Sequence, residues 1–278
     1  MNIYIAILFV LGIFSFFKKN RLLLFLSFLI LLVVGGLRDF SVGTDTLNYL
    51  GLYQYGDNTS FTKGIEWGYT LVQQFVYFCI GDYAYLVFIQ MLLILLFFYI
   101  FILRESNNPL HSVFCFVSLY YWLYSLNTTR QYIAMPLVLI GFSYLARGRV
   151  KPFIALVLCA MLFHTSAIFS LIVLLFYKPE SFLSKFLNRG VLILSFFIGL
   201  TPLIPVVLGI FTNVFDTLGL TGFSWYISEV SEYREGGFSL SRFLLTIYGC
   251  LIFSTMGTKL FYVRILGLGI ILLNLFAF

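Results

Sequence analysis

The stretch Val191–Phe211 reads VLILSFFIGLTPLIPVVLGIF, without one charged side chain. A bilayer core of about 30 Å is crossed by roughly 20 apolar residues in helical form, and comparable runs recur along the chain. Water could not tolerate such segments unless polar surface covered them, and that surface is missing. Of the 278 residues, 61% are hydrophobic and 10% charged, against about 25% charged in ordinary soluble domains. The polar–apolar alternation that barrel strands require is absent. The sequence therefore predicts an all-α, polytopic helical membrane protein: a single transmembrane domain over residues 1–278, with no part able to fold separately in water.

The net charge of +6 does not point to nucleic acid, because of where the charge sits. Basic residues gather at Lys18, Lys19 and Arg21, at Arg147, Arg149 and Lys151, at Lys178, Lys185 and Arg189, and at Lys259 with Arg264. Under the positive-inside rule these clusters are cytoplasmic anchors. With Lys18–Arg21 inside, the helix Leu22–Gly36 returns to the outer face. Residues 37–66 and 212–238 then become large extracytoplasmic loops, the first rich in Gly, Asn, Asp, Thr and Tyr. The first run, Asn2–Phe17, lacks the basic start and small-residue cleavage site of a signal peptide and is read as a retained helix. Cys79, Cys115, Cys159 and Cys250 lie in apolar runs without metal or redox spacing and read as packing residues.

Tyr83–Leu103 and Leu110–Leu126 read as crossings. If Trp67–Ile80 crossed as well, Arg130 would fall inside, against the Arg147–Lys151 anchor beyond the next helix. Trp67–Ile80, short and carrying Gln73 and Gln74, is therefore expected to be interfacial or re-entrant. Pro152–Tyr177 is interrupted by FHTS at Phe163–Ser166 and flanked by basic clusters. That pattern favours two short helices meeting near His164 on the outer side, with a single helix near 39 Å long as the alternative. Val191–Phe211, Leu240–Met256 and Val263–Phe278 bring the count to about ten crossings.

Setting the anchors aside leaves Arg38, Lys63, Arg104, Arg130, Arg234 and Arg242, all but Arg104 on the outer face. An arginine at membrane depth costs about 2.5–3.5 kcal/mol, so it needs a partner or a task. Arg130, in NTTRQ between apolar helices, is either a structural ion pair or anchor, or a grip on an anionic ligand. A planar guanidinium holds phosphate or carboxylate through two parallel hydrogen bonds. Arg38 beside Asp39 has the simpler alternative of a loop ion pair. His164, next to Thr165 and Ser166, is a core histidine or a proton acceptor, since imidazole titrates near neutral pH. Asp45, in VGTDT, is a general base, a sugar-hydroxyl acceptor or a turn residue. His111 follows Pro109 at a helix start and reads as ordinary. There is no P-loop, GxSxG, HExxH or carboxylate cluster, so no metal and no cofactor are expected.

GLRDFSVGTDTLNY (Gly36–Tyr49), NTTRQYIAMPLVLIGFSYL (Asn127–Leu145) and LCAMLFHTSAI (Leu158–Ile168) resemble, in order and spacing, the signature stretches of EpsG-type, Wzy-like polysaccharide polymerases; YREGGFSLSR resembles the family more loosely. The resemblance implies a GT-C-like glycosyltransferase of the bacterial cytoplasmic membrane. Such an enzyme joins oligosaccharide repeat units carried on undecaprenyl pyrophosphate at the outer face, toward O-antigen, capsule or exopolysaccharide. Implied partners are the lipid-linked oligosaccharide, membrane lipids, a chain-length regulator and a flippase, with no nucleic acid. Family members usually continue for another helix or two beyond the position of Phe278. On this reading His164, Asp45 and Arg130 are catalytic candidates. Arg38, Arg130, Arg234, Arg242, Thr44 and Gln131 are candidates for binding pyrophosphate or sugar. A flippase of lipid-linked oligosaccharide should have internal repeats or paired broken helices, which are not found. A non-catalytic subunit of an export complex would not need arginines on the costly face.

Single cysteines at Ser41, Asn58 and Gly237 are expected to react with an impermeant thiol reagent in whole cells, and one at Gly148 is not. Labelling at Gly148 from outside would invert the topology.

Overall fold

In a computed structural model the described residues are 2–43, 45–55, 66–201, 203, 217, 239–257 and 259–276. They contain helices and no strand, and they group into two compact units, Met1–Leu171 and Ile172–Phe278, where the sequence reading took one domain. Position 217 apart, the expected second loop lies outside the described residues, as do residues 56–65 of the first.

The first unit contains α1 (Asn2–Ser15), α2 (Arg21–Gly36), α3 (Thr46–Tyr55), α4 (Trp67–Cys79), α5 (Tyr83–Glu105), α6 (Pro109–Ser118), α7 (Tyr121–Ser125), α8 (Thr129–Leu145) and α9 (Val150–Met161). A 3₁₀ segment, Thr165–Leu175, follows. Short polar residues start several of these helices by accepting a free N–H of the first turn, as capping requires. Asn20 accepts from Leu23 at 3.1 Å, Asp82 from Ala84 at 2.9 Å, and Asn108 from His111 at 3.3 Å with Pro109 opening the helix.

Among the described residues α5, with 23 residues, is the one helix long and apolar enough to cross a membrane unaided; the shorter apolar helices have 10–17. The ten expected crossings thus rest on the sequence, and the thiol labelling tests them. α5 is the hub, with α2, α4 and α8 packed on it, α9 on α8 and α1 on α6. Small residues permit the close approaches, as is usual between membrane helices. A Cβ on Gly35 would stand 2.9 Å from Met91 Cε, and one on Gly36 would stand 2.8 Å from Phe88 Cδ2.

Two expectations about helices change. Leu110–Leu126, read as one crossing, is broken into α6 and α7 at Tyr120, whose φ is +64°. The carbonyl of Val117, which a continuous helix would offer to the N–H of Tyr121, accepts from the N–H of Tyr120 at 3.0 Å and also from Tyr4 Oη at 2.8 Å, while Tyr120 stacks on Tyr4. The first loop, read as irregular, contains α3. Pro152–Tyr177 does divide at Leu162–His164, into α9 and the 3₁₀ segment. α4 is short, with 13 residues, or about 20 Å against a core of about 30 Å. It folds back along the start of α5, so that Tyr69 Oη accepts from Gln90 at 2.9 Å.

Arg104 at the end of α5 donates to Ser143 Oγ at 3.1 Å, and Arg147 beyond α8 pairs with Glu105. The C-terminal ends of α5 and α8 therefore lie together, and so do their N-terminal ends, where the candidate residues cluster.

In the second unit α10 (Phe182–Phe186) precedes α11 (Arg189–Gly199), α12 (Leu240–Met256) and α13 (Phe261–Phe276), and the last three pack on one another. Their apolar core includes Leu192, Phe253 and Ile270. Buried Asn274 ties them, its Nδ2 donating to Ser195 Oγ and Thr246 Oγ1 at 3.0 Å each. Interhelical hydrogen bonds of this kind contribute about 0.6 kcal/mol on average in membrane proteins, with a maximum near 1.7. Asn274→Ala is accordingly expected to lower the thermal midpoint of the detergent-solubilised protein more than Ser195→Ala does. Equal midpoints for Asn274→Ala and wild type would refute the tie.

Candidate active site

The chain after α2 is stapled to the turn before α8. Arg38 donates from one terminal nitrogen to Gly35 O at 2.8 Å and from the other to Leu126 O at 3.0 Å. Gly43 has φ +100°, and a Cβ there would stand 2.7 Å from Leu126 O, so only glycine fits this turn without strain. Tyr83 Oη then donates to Thr46 O at 3.0 Å and holds the start of α3 against α5. On α3, residues four apart share a face. Tyr49 meets Tyr69 of α4 with ring centroids 5.6 Å apart, and Tyr53 meets Tyr83 at 5.5 Å.

A second docking brings in Glu66. The N–H groups of Gly68 and Tyr69 donate to Leu162 O at 2.7 and 3.3 Å, joining the free N-terminus of α4 to the free C-terminus of α9. A Cβ on Gly68 would lie 2.7 Å from that same oxygen. Glu66 is thereby buried, 8% exposed, with three partners around its carboxylate. Arg130 Nη1 pairs with Oε2 at 2.6 Å, and Thr165 N donates to Oε1 at 3.1 Å. His164 Nδ1 stands 3.2 Å from Oε1, at ion-pair distance but without the alignment of a hydrogen bond. Burial by itself would raise the Glu66 pKa. The His164 ring, the Thr165 N–H and the Arg130 charge outweigh it and hold the group at about 2. Glu66 is therefore a fixed anion at neutral pH.

The Arg130 guanidinium lies 5.8 and 5.9 Å from the ring centroids of Tyr49 and Tyr69, and its Nε donates to Tyr49 Oη at 3.5 Å. Nη1 is committed to Glu66, while no described residue engages Nη2. The Arg130 side chain is 26% exposed. The Glu66 carboxylate faces Nδ1 of His164, and Nε2 lies on the other side of the ring. The centre thus sets a guanidinium and an imidazole on one buried carboxylate, and the His164 side chain is 30% exposed.

Arg130 and His164, both singled out in the sequence, meet here. Asp45 does not join them: it sits just before α3 and makes no ion pair or side-chain hydrogen bond among the described residues. Gln131 is exposed in the first turn of α8. Arg38 binds carbonyls, and its Nε is buried without a partner among the described residues. Arg242 belongs to the second unit, where it donates to Asn274 O at 3.4 Å. Thr44, Lys63 and Arg234 lie outside the described residues. Sequence reasoning missed Glu66, Tyr49 and Tyr69. The available signal was the need of Arg130 for a counter-charge in a chain with only 11 acidic residues.

A carboxyl pKa depressed on folding contributes stability in full above its unfolded value and loses it as pH falls through the folded one. For Glu66 that window runs from about 4.5 down to about 2. Glu66→Gln is expected to unfold at a lower temperature than wild type at pH 6, and the gap should close as pH falls through the window. A gap that does not change with pH would mean that Glu66 carries no such charge linkage.

The family model for the EpsG family matches residues 21–278. No curated protein and no solved structure gives a significant match. The match spans nearly the whole chain, including every segment that builds this centre, and the chain belongs to the EpsG family, membrane proteins of polysaccharide biosynthesis.

Proposed function

We propose that the protein is a polysaccharide polymerase that joins oligosaccharide repeat units carried on undecaprenyl pyrophosphate, at the outer face of a bacterial cytoplasmic membrane. The observation that carries this reading is the meeting of Arg130, His164 and Glu66 from three distant segments. One edge of Arg130 is free, and His164 has a carboxylate at Nδ1.

In the proposed transfer the acceptor hydroxyl attacks the anomeric carbon of the donor sugar. Its proton passes to His164 Nε2, and the bond from the anomeric carbon to the pyrophosphate oxygen breaks. The electron pair leaves with the pyrophosphate, and Arg130 faces the charge that grows there. A cation held in position in advance stabilises that charge more in the transition state than in the ground state. Glu66 serves twice, fixing the Arg130 guanidinium and stabilising the imidazolium that forms. The activated sugar arrives on its lipid, so no nucleotide site is required. Arg38, Gln131, Thr44, Arg234 and Arg242 remain proposed contacts to sugar or pyrophosphate, and Asp45 the alternative base.

Arg130→Lys keeps the charge, and with it the pair with Glu66, but loses the guanidinium edge. It should accumulate normally in membranes and polymerise about tenfold to a hundredfold more slowly. His164→Ala should cost about a hundredfold to ten-thousandfold and leave single repeat units on the lipid carrier. Polymer length on gels, read beside membrane abundance, decides the matter. Full-length polymer from Arg130→Lys at normal abundance would make Arg130 a structural anchor and overturn the site.

A further inference from the structure

A concavity of the first unit, about 470 Å³, is lined by Phe40, Tyr53, Gln54, Tyr77, Asp82 and Tyr83 among others. Its aromatic wall is continuous. Phe40 meets Tyr83 with centroids 5.2 Å apart, Tyr83 meets Tyr53 at 5.5 Å, and Tyr53 meets Tyr77 at 5.4 Å. Tyr77 stands at the rim, 47% exposed, whereas Tyr53 and Tyr83 are 6% and 5% exposed.

The polar groups around this wall are under-used. The Tyr53 hydroxyl is buried and has no hydrogen-bond partner among the described residues, a costly condition for a polar group away from water. Asp82 caps α5 through Oδ1 alone, and neither its second oxygen nor the exposed Gln54 amide is engaged by a described residue. The wall and these groups combine apolar faces, two donors and two acceptors. A sugar ring has the matching chemistry, with C–H faces that lie on aromatic rings and hydroxyls that both give and take hydrogen bonds. An organic cation would also suit four aromatic rings and a carboxylate. It would leave the Tyr53 hydroxyl and the Gln54 amide hydrogens unanswered.

We propose that this concavity is a saccharide-binding subsite that holds one end of the sugar chain while the other lies at Arg130 and His164. For the class of ligand the inference rests on the polysaccharide reading above. The spacing comes from α3: Tyr49 touches Arg130, and Tyr53, in the subsite, follows one turn later, about 6 Å along the axis.

The test is binding rather than catalysis. Purified protein in lipid nanodiscs is titrated with oligosaccharides of one to three repeat units, obtained by partial acid hydrolysis of the source cells' polymer, and read by saturation-transfer NMR. Wild type should bind. Tyr77→Ala and Gln54→Ala, both at exposed positions, should each weaken binding about tenfold. Phe75→Ala, an exposed aromatic on α4 outside the concavity, should leave it unchanged. Absence of binding by wild type, or unaltered binding by both subsite variants, overturns the proposal. So does displacement of the oligosaccharide by tetramethylammonium chloride in a manner abolished by Asp82→Asn, which would mark a cation cage. The polymerase reading stands or falls separately, on the Arg130 variants. Saccharide binding that depends on Tyr77 would survive its failure.

Discussion

The carboxylate of Glu66 is the point on which the first unit's chemistry turns. A carboxylate taken out of water is stable only if its charge is matched and its lone pairs are occupied. Glu66 satisfies that condition by drawing on three parts of the chain: the guanidinium at the start of α8, the N–H of Thr165 and the ring of His164. The demand runs the other way too, because Arg130 at that depth would be costly alone. Each group makes the others tolerable. Removing one partner of such a pair strands the other, a change that typically costs about 3–5 kcal/mol.

The helix ends make the meeting possible. α4 begins where α9 stops, and the Gly68 and Tyr69 N–H groups, unsatisfied within their own helix, find the Leu162 carbonyl, unsatisfied within its own. Irregular backbone inside a membrane protein is tolerated when protein covers it, and here two broken ends cover each other. The lack of a side chain on Gly68 lets them close. The same junction that repairs the backbone places Glu66 beside His164, so structural economy and the chemistry of the centre share one contact. On the other side Arg38 and the left-handed turn at Gly43 hold α3 in place, and α3 supplies the tyrosines that face both Arg130 and the neighbouring concavity.

The overlap with the EpsG family covers all of these segments, which places the centre within what the family match spans. The rings of Tyr49 and Tyr69 flank the Arg130 guanidinium, while the Arg130 and His164 side chains stay 26% and 30% exposed. The concavity one turn along α3 is wetter at its rim, with Tyr77, Gln54 and Asp82 exposed. That is the setting in which hydroxyl-rich ligands exchange hydrogen bonds with water at little cost.

The all-helical class, the ends of α2, α5 and α12 to within two residues, and the break near His164 were legible because they follow from local causes. An apolar run, a basic loop or a polar interruption acts over a few residues. Arg130 and His164 were legible as candidates for a related reason, since each is conspicuous against apolar neighbours. The split at Tyr120 was not, because no glycine or proline marks it and the contact made there is with the distant Tyr4, and neither was α3, which is stabilised by packing against α4 and α5. Glu66 was hidden most completely: it closes a polar loop in which nothing local distinguishes it from other acids. Composition and periodicity determined that this chain belongs in a membrane and that a few charges there need partners. Which charges meet, and which faces they leave open, was decided by tertiary structure, because an ion pair between residues 66 and 130 has no energy until the helices between them have packed.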